Sequence, residues 1–169
     1  YFGGSGVTQS YTIAKDWYTK AADRDYASGY HSLGYLYYYG KGVVQNYDIA
    51  LQWFLKAAEK NRTSSMEWVA STYRFGLKDY ANAIVWYKKA MDNGNIISIA
   101  ALGFMHFDGH GVKKDYEKAF EYFLKAAEKG NEEAMGKLVT IYAEGYGVRK
   151  DRTLSQAWQA KYDAAKAKK

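Results

Sequence analysis

Apolar and small residues recur along this chain at helical spacing, and the helices they predict come in pairs. Gly29, Leu33 and Tyr37 stand at i, i+4 and i+8 and predict a first amphipathic helix ending near Gly40. Gly40-Lys41-Gly42 breaks that helix, since glycine tolerates the positive φ of a C-cap and of the turn after it. Tyr47, Ala50, Leu51, Phe54 and Ala57-Ala58 then trace a second helical face, with Asn46 as its N-cap and Trp53 alongside. Tyr47 and Trp53 are the large residues expected to fill the space that the alanines leave. Trp53 or Trp86 replaced by alanine should then cost roughly 3–5 kcal/mol.

The pair repeats. Gly4, Gly40, Gly76, Gly109 and Gly145 mark one position in five units, at intervals of 36, 36, 33 and 36 residues. Trp17, Trp53, Trp86, Tyr122 and Trp158 climb the same ladder, as do Ala14, Ala50, Ala83, Ala119 and Ser155. A period of this length means a solenoid in which each unit buries its apolar face against the next. The predicted units are 1–26 (partial, its first helix missing), 27–62, 63–95, 96–131 and 132–169, the last ending in a capping helix, all within one domain. The third unit is shorter: Gly76-Leu77-Lys78-Asp79-Tyr80 loses three residues and the second glycine, which predicts a tighter turn there.

Composition narrows the function classes. Eighteen Tyr, seven Phe and five Trp among 169 residues supply rings for packing and, where exposed, for a partner. With no cysteine there is neither a disulfide framework nor a thiolate metal site, and no apolar run approaches the ~18 residues of a membrane span. The net charge is +6, and the excess leans to Arg149, Lys150, Arg152, Lys161, Lys166, Lys168 and Lys169. Without aromatic interleaving earlier in the chain, this reads as a solvated basic tail and argues against a nucleic-acid or membrane adaptor.

Candidate chemistry dissolves into repeat positions. His106 and His110 have the i,i+4 spacing of a helical metal pair, but His106 holds the place of Tyr37, Tyr73 and Tyr142, and Asp108-Gly109 ends the helix before His110. Asp79, Asp115 and Asp151 stand where second helices begin and read as N-caps. The glycine doublets lack a phosphate-loop frame, and no Ser-x-x-Lys nucleophile occurs. No catalytic, cofactor-binding or metal-binding residue is assigned, and the chain is expected not to be an enzyme; a metal-dependent site at His106, Asp108 and His110 is the weaker alternative. Asn61-Arg62-Thr63 fits a glycosylation sequon in a loop between units.

Ser98, Leu102-Gly103, His106, Gly109, Gly111-Val112, Asp115, Ala119, Tyr122-Phe123 and Ala126-Ala127-Glu128-Lys129-Gly130 together resemble the Sel1-like repeat, an α/α relative of the tetratricopeptide repeats. The resemblance implies an all-α fold: a right-handed α/α superhelical solenoid of about four and a half helix-turn-helix repeats. It implies a non-enzymatic scaffold or adaptor that binds a protein partner, with no cofactor and no small-molecule substrate. Immunity proteins against secreted toxins and substrate adaptors of secretory-pathway degradation complexes are alternatives within the same family, and its members lean to the periplasm or the secretory lumen. In such solenoids the first helices line the concave face. Counted from the Leu33, Val69 and Leu102 knobs, the outward positions are His31, Tyr35 and Tyr38, then Glu67, Ser71 and Arg74, then Ala100, Phe104 and Phe107. His31, Tyr35, Tyr38, Glu67, Ser71, Arg74, Phe104 and Phe107 are the expected partner-binding set, rich in the rings and guanidinium that dominate interfaces.

Overall fold

The computed structural model describes residues 10–167. Opening-unit features such as Gly4, and Lys168 and Lys169 at the far end, lie outside the described residues. Among the described residues every regular element is helical: α1 (Tyr11–Asp23), α2 (Ala27–Tyr39), α3 (Tyr47–Glu59), α4 (Thr63–Ser71), α5 (Tyr80–Asp92), α6 (Ile96–Asp108), α7 (Tyr116–Glu128), α8 (Glu132–Glu144) and α9 (Arg152–Lys166). The fold is all-α. Internal contacts divide the chain after Trp86 into two units. In the first, α1 packs on α2, α2 on α3 and α3 on α4; in the second, α6 packs on α7, α7 on α8 and α8 on α9.

Capping chemistry sets the helix starts. The side chains of Asn46, Asp115 and Asp151 accept from the backbone N–H three residues on, at 2.9 Å in each case. Asp79 does the same with Asn82 at 3.1 Å. Each satisfies a donor the helix cannot satisfy itself. The first helices α2, α6 and α8 end on a glycine with φ between +67° and +79°.

In three units the core runs through the second member of the aromatic pair, Phe54, Tyr87 or Phe123, whereas in the last unit Trp158, followed by Gln159, is itself buried. Phe54 and Phe123 have no exposed surface and Tyr87 has 1%, whereas Trp17 is 57% exposed and Trp53 is half-buried. The expectation that Trp53 fills the core is therefore corrected: residues adjacent in a helix point ~100° apart, and Phe54 is the one in line with Ala50, Ala57 and Ala58. The rings enter over a glycine. A Cβ on Gly34 would lie 2.7 Å from the Phe54 ring, and one on Gly103 would lie 2.8 Å from Phe123.

The shortened unit solves its missing residues with a wider helix. Thr72–Leu77 continues α4 as a π-helical turn, opened where the Thr72 hydroxyl donates to the Trp68 carbonyl at 2.7 Å. Lys78 then closes it in the left-handed region at φ 59°, leaving only Lys78 and Asp79 before α5. The connection is indeed short, but a widened helical turn precedes it.

Candidate functional site

In the first unit the aromatic residues of α2 converge on a ring the sequence reading did not single out. Trp68 of α4 stacks on Phe54 at 5.5 Å between centroids, and receives Tyr38 at 5.1 Å, Tyr35 at 5.6 Å and Tyr39 at 5.8 Å edge-on. Such edge and offset contacts are the preferred geometry of aromatic pairs. Tyr35 and Tyr38 are half-buried, while Tyr39, also absent from the expected set, is 47% exposed. Lys41 extends from the turn so that its ammonium lies 5.3 Å from the Tyr35 ring, 5.5 Å from Tyr11 and 5.6 Å from Tyr39.

His31 is less outward than expected. Its Nδ1 lies 2.8 Å from the Ser65 hydroxyl, and its ring meets Phe54 and Trp68 edge-on. A cavity of ≈190 Å3 opens beside it, lined by Tyr18, His31, Ser32 and Tyr35. The His–Ser contact has the distance of a base and its nucleophile, but Ser65 has no exposed surface, so no substrate reaches its hydroxyl. Burial, with the Arg62 cation adding to it, pushes the His31 pKa down from 6.5 to about 4.

That depression has a measurable sign. Because the folded state holds His31 neutral where the unfolded chain would protonate it, the associated stability is whole above about pH 6.5 and is lost as the pH falls towards 4. Burial raises the Glu67 carboxyl pKa, against the lowering effect of the Ser71 hydroxyl that donates to it at 2.7 Å, and this works in the opposite sense. The difference between wild type and His31→Gln isolates the histidine. In urea unfolding, wild type should lose roughly 1–2 kcal/mol more than the variant between pH 7 and pH 4.5.

The remaining expected residues divide. Ser71 is 8% exposed and turned onto Glu67, and Ala100 is 2% exposed; both are interior rather than outward. Arg74 lies with its guanidinium carbon 4.6 Å from the Phe75 ring, which is itself 50% exposed. In the second unit Phe104 and Phe107 are half-buried on α6, with Phe104 4.9 Å from Phe123 and Phe107 5.0 Å from Tyr116 and 5.3 Å from Tyr146. Lys137 of α8 completes this cluster with its ammonium 5.2 Å from Phe104 and 5.0 Å from Phe107. The structure thus groups His31, Tyr35 and Tyr38 around Trp68 in one unit, and Phe104 with Phe107 in the other.

His106 and His110 do not converge. His106 lies flat on Tyr122, with centroids 5.5 Å apart at 20°, and burial lowers its pKa. His110 faces Asp108 at 4.0 Å beyond the helix end. No group of three His, Asp or Glu side chains that could hold a metal occurs among the described residues, and none of the described helices is long and apolar enough to cross a membrane.

Comparisons with known proteins follow the same pattern of repeats. The family model for the Sel1 repeat matches residues 1–26, 27–61, 63–95, 96–131 and 133–158. A Sel1 repeat protein from Oxalobacter formigenes is 32% identical at a TM-score of 0.83, over 97% of this chain and 69% of its own. A protective antigen of uropathogenic Escherichia coli strains, displaying an SLR fold, is 32% identical at a TM-score of 0.84, over 96% of this chain and 36% of its own. The immunity protein Pa5087 from Pseudomonas aeruginosa, 17% identical at a TM-score of 0.56 over 90% of this chain and 74% of its own, shares the fold. No curated protein matches the sequence.

Proposed function

The chain belongs to the Sel1 repeat family, whose members mediate protein–protein interaction, and from that premise we propose that it is a non-enzymatic scaffold binding its partner through aromatic residues of its first helices. The observation that carries this reading is the ring cluster around Trp68. Its inner member, Phe54, belongs to the core, yet Tyr35, Tyr38 and Tyr39 continue outward to a ring 47% exposed. A core has no need of rings left half in water. Tyrosine and tryptophan placed this way supply large, rigid contact area at low entropic cost, the composition of interface hot spots. The Arg74 guanidinium, over a half-exposed Phe75, adds the third residue type enriched there.

The test is partner capture from the native source with the full chain as bait. The triple variant Tyr39→Ser, Arg74→Ser, Phe107→Ser is expected to capture its partner about tenfold less well, with the far-UV circular dichroism of wild type. Undiminished capture by that variant places the partner on another face.

A further inference from the structure

Both aromatic clusters are crowned by a lysine, and the chemistry of that arrangement specifies a partner. Lys137 reaches across from α8 to lay its ammonium over two phenyl faces, at 5.2 and 5.0 Å. Among the described residues this ammonium meets no carboxylate and no hydrogen-bond acceptor, although Glu133 stands one helical turn before it. A ring face attracts a cation through its quadrupole but accepts no conventional hydrogen bond, so the three N–H groups of Lys137 keep their donor capacity. The side chain is half-buried, which lowers the local dielectric and raises what a charged acceptor gains there.

In the first unit the Lys41 ammonium also lies over ring faces, those of Tyr11, Tyr35 and Tyr39. The cavity of ≈190 Å3 beside His31 is lined by the phenols of Tyr18 and Tyr35, the Ser32 hydroxyl and the His31 imidazole. The charge acting on His31 is the Arg62 cation. The chain as a whole carries +6.

We propose that Lys137, seated on Phe104 and Phe107, anchors an acidic side chain of the partner, and that the partner is therefore an extended segment alternating glutamate or aspartate with apolar residues. The carboxylate takes the ammonium's open N–H groups while the apolar neighbours lie on the flanking rings. This inference rests on the protein-binding reading above and adds the charge of what is bound.

Three terminally blocked peptides of equal length test it against the full chain, alternating leucine with glutamate, glutamine or lysine; a fourth is the glutamine peptide with a free carboxyl end. The glutamate peptide should bind with an affinity that falls as salt rises, and should shift the resonances of Phe104, Phe107 and Lys137. A charge-assisted contact of this kind sets the expected loss in Lys137→Met at about tenfold, with Lys137→Arg retaining binding and both variants keeping wild-type circular dichroism. The proposal is overturned if the lysine peptide binds as well, if Lys137→Met binds the glutamate peptide as wild type does, if only the free carboxyl end is recognised, or if no peptide binds. Should it fall while the Tyr39→Ser, Arg74→Ser, Phe107→Ser variant still loses its captured partner, the acidic partner alone is wrong and the scaffold reading stands.

Discussion

Phe123→Ala is expected to cost roughly 3–5 kcal/mol of unfolding free energy, the largest effect of any single side-chain truncation in the second unit. Phe123 has no exposed surface, closes over Gly103, touches Phe104 at 4.9 Å and belongs to the buried cluster with Ala119, Ala126, Leu138 and Ile141. Its removal deletes a large apolar area and leaves a cavity between helices whose backbones are already fixed by their own hydrogen bonds, so little collapse can refill it. In a repeat array each unit touches only its neighbours, so the loss should appear as early melting of the second unit rather than a uniform shift. Urea unfolding followed by circular dichroism, with amide exchange to locate the opening, measures both. Trp17→Ala at 57% exposure is the control and should cost within about 1 kcal/mol. Equal costs at the two positions would return the core to the first member of the aromatic pair.

Gly147→Ala should be nearly as severe, at roughly 2–4 kcal/mol, for two reasons that add. Gly147 sits at φ +69°, where a side chain is strained, and a Cβ there would lie 2.4 Å from the Tyr116 carbonyl carbon and 2.5 Å from the Glu117 nitrogen. Those are backbone atoms at the start of α7, so no rotamer change relieves the clash. Gly130→Ala separates the two contributions. Its φ is +90° but nothing lies within 4 Å of the added carbon, so it should cost only the conformational share, about 1 kcal/mol. The comparison also explains the repeat. The second glycine of the Gly-x-Gly turn lets a loop touch the start of the preceding second helix, and a Cβ added to Gly42 would lie 2.6 Å from the Tyr11 Cβ. Where the shortened unit lacks that glycine, Gly76 makes the approach instead, and a Cβ there would lie 2.5 Å from the Tyr47 ring.

These two positions show what was legible in the chain. The helices, their Asn and Asp caps and the glycine stops depend on local backbone chemistry, and the 36-residue ladder marked them clearly. The choice between Trp53 and Phe54 was also available, because only Phe54 continues the Ala50, Ala57 and Ala58 stripe; periodic recurrence of tryptophan drew attention to the wrong partner. The π-helical turn at Thr72–Leu77 was not available, since a deletion can be absorbed by tightening a loop or by widening a helix, and the residue count serves both. At the candidate site, counting from the Leu33 knob picks out His31, Tyr35 and Tyr38, which lie around Trp68, although His31 is turned onto Ser65. Trp68 and Lys137 were not, because their roles arise where a side chain from one helix crosses onto the rings of another. Ser71 was placed outward by the same counting and is drawn inward by its hydrogen bond to Glu67.

The scaffold reading is tested most directly by photo-crosslinking in the native source, with a benzophenone side chain placed singly at position 39 or 107 near the ends of first helices, or at position 85 on a second helix, where Val85 is 60% exposed. The account predicts adducts to a partner protein from positions 39 and 107 and none from 85. Adducts from position 85 alone would contradict it.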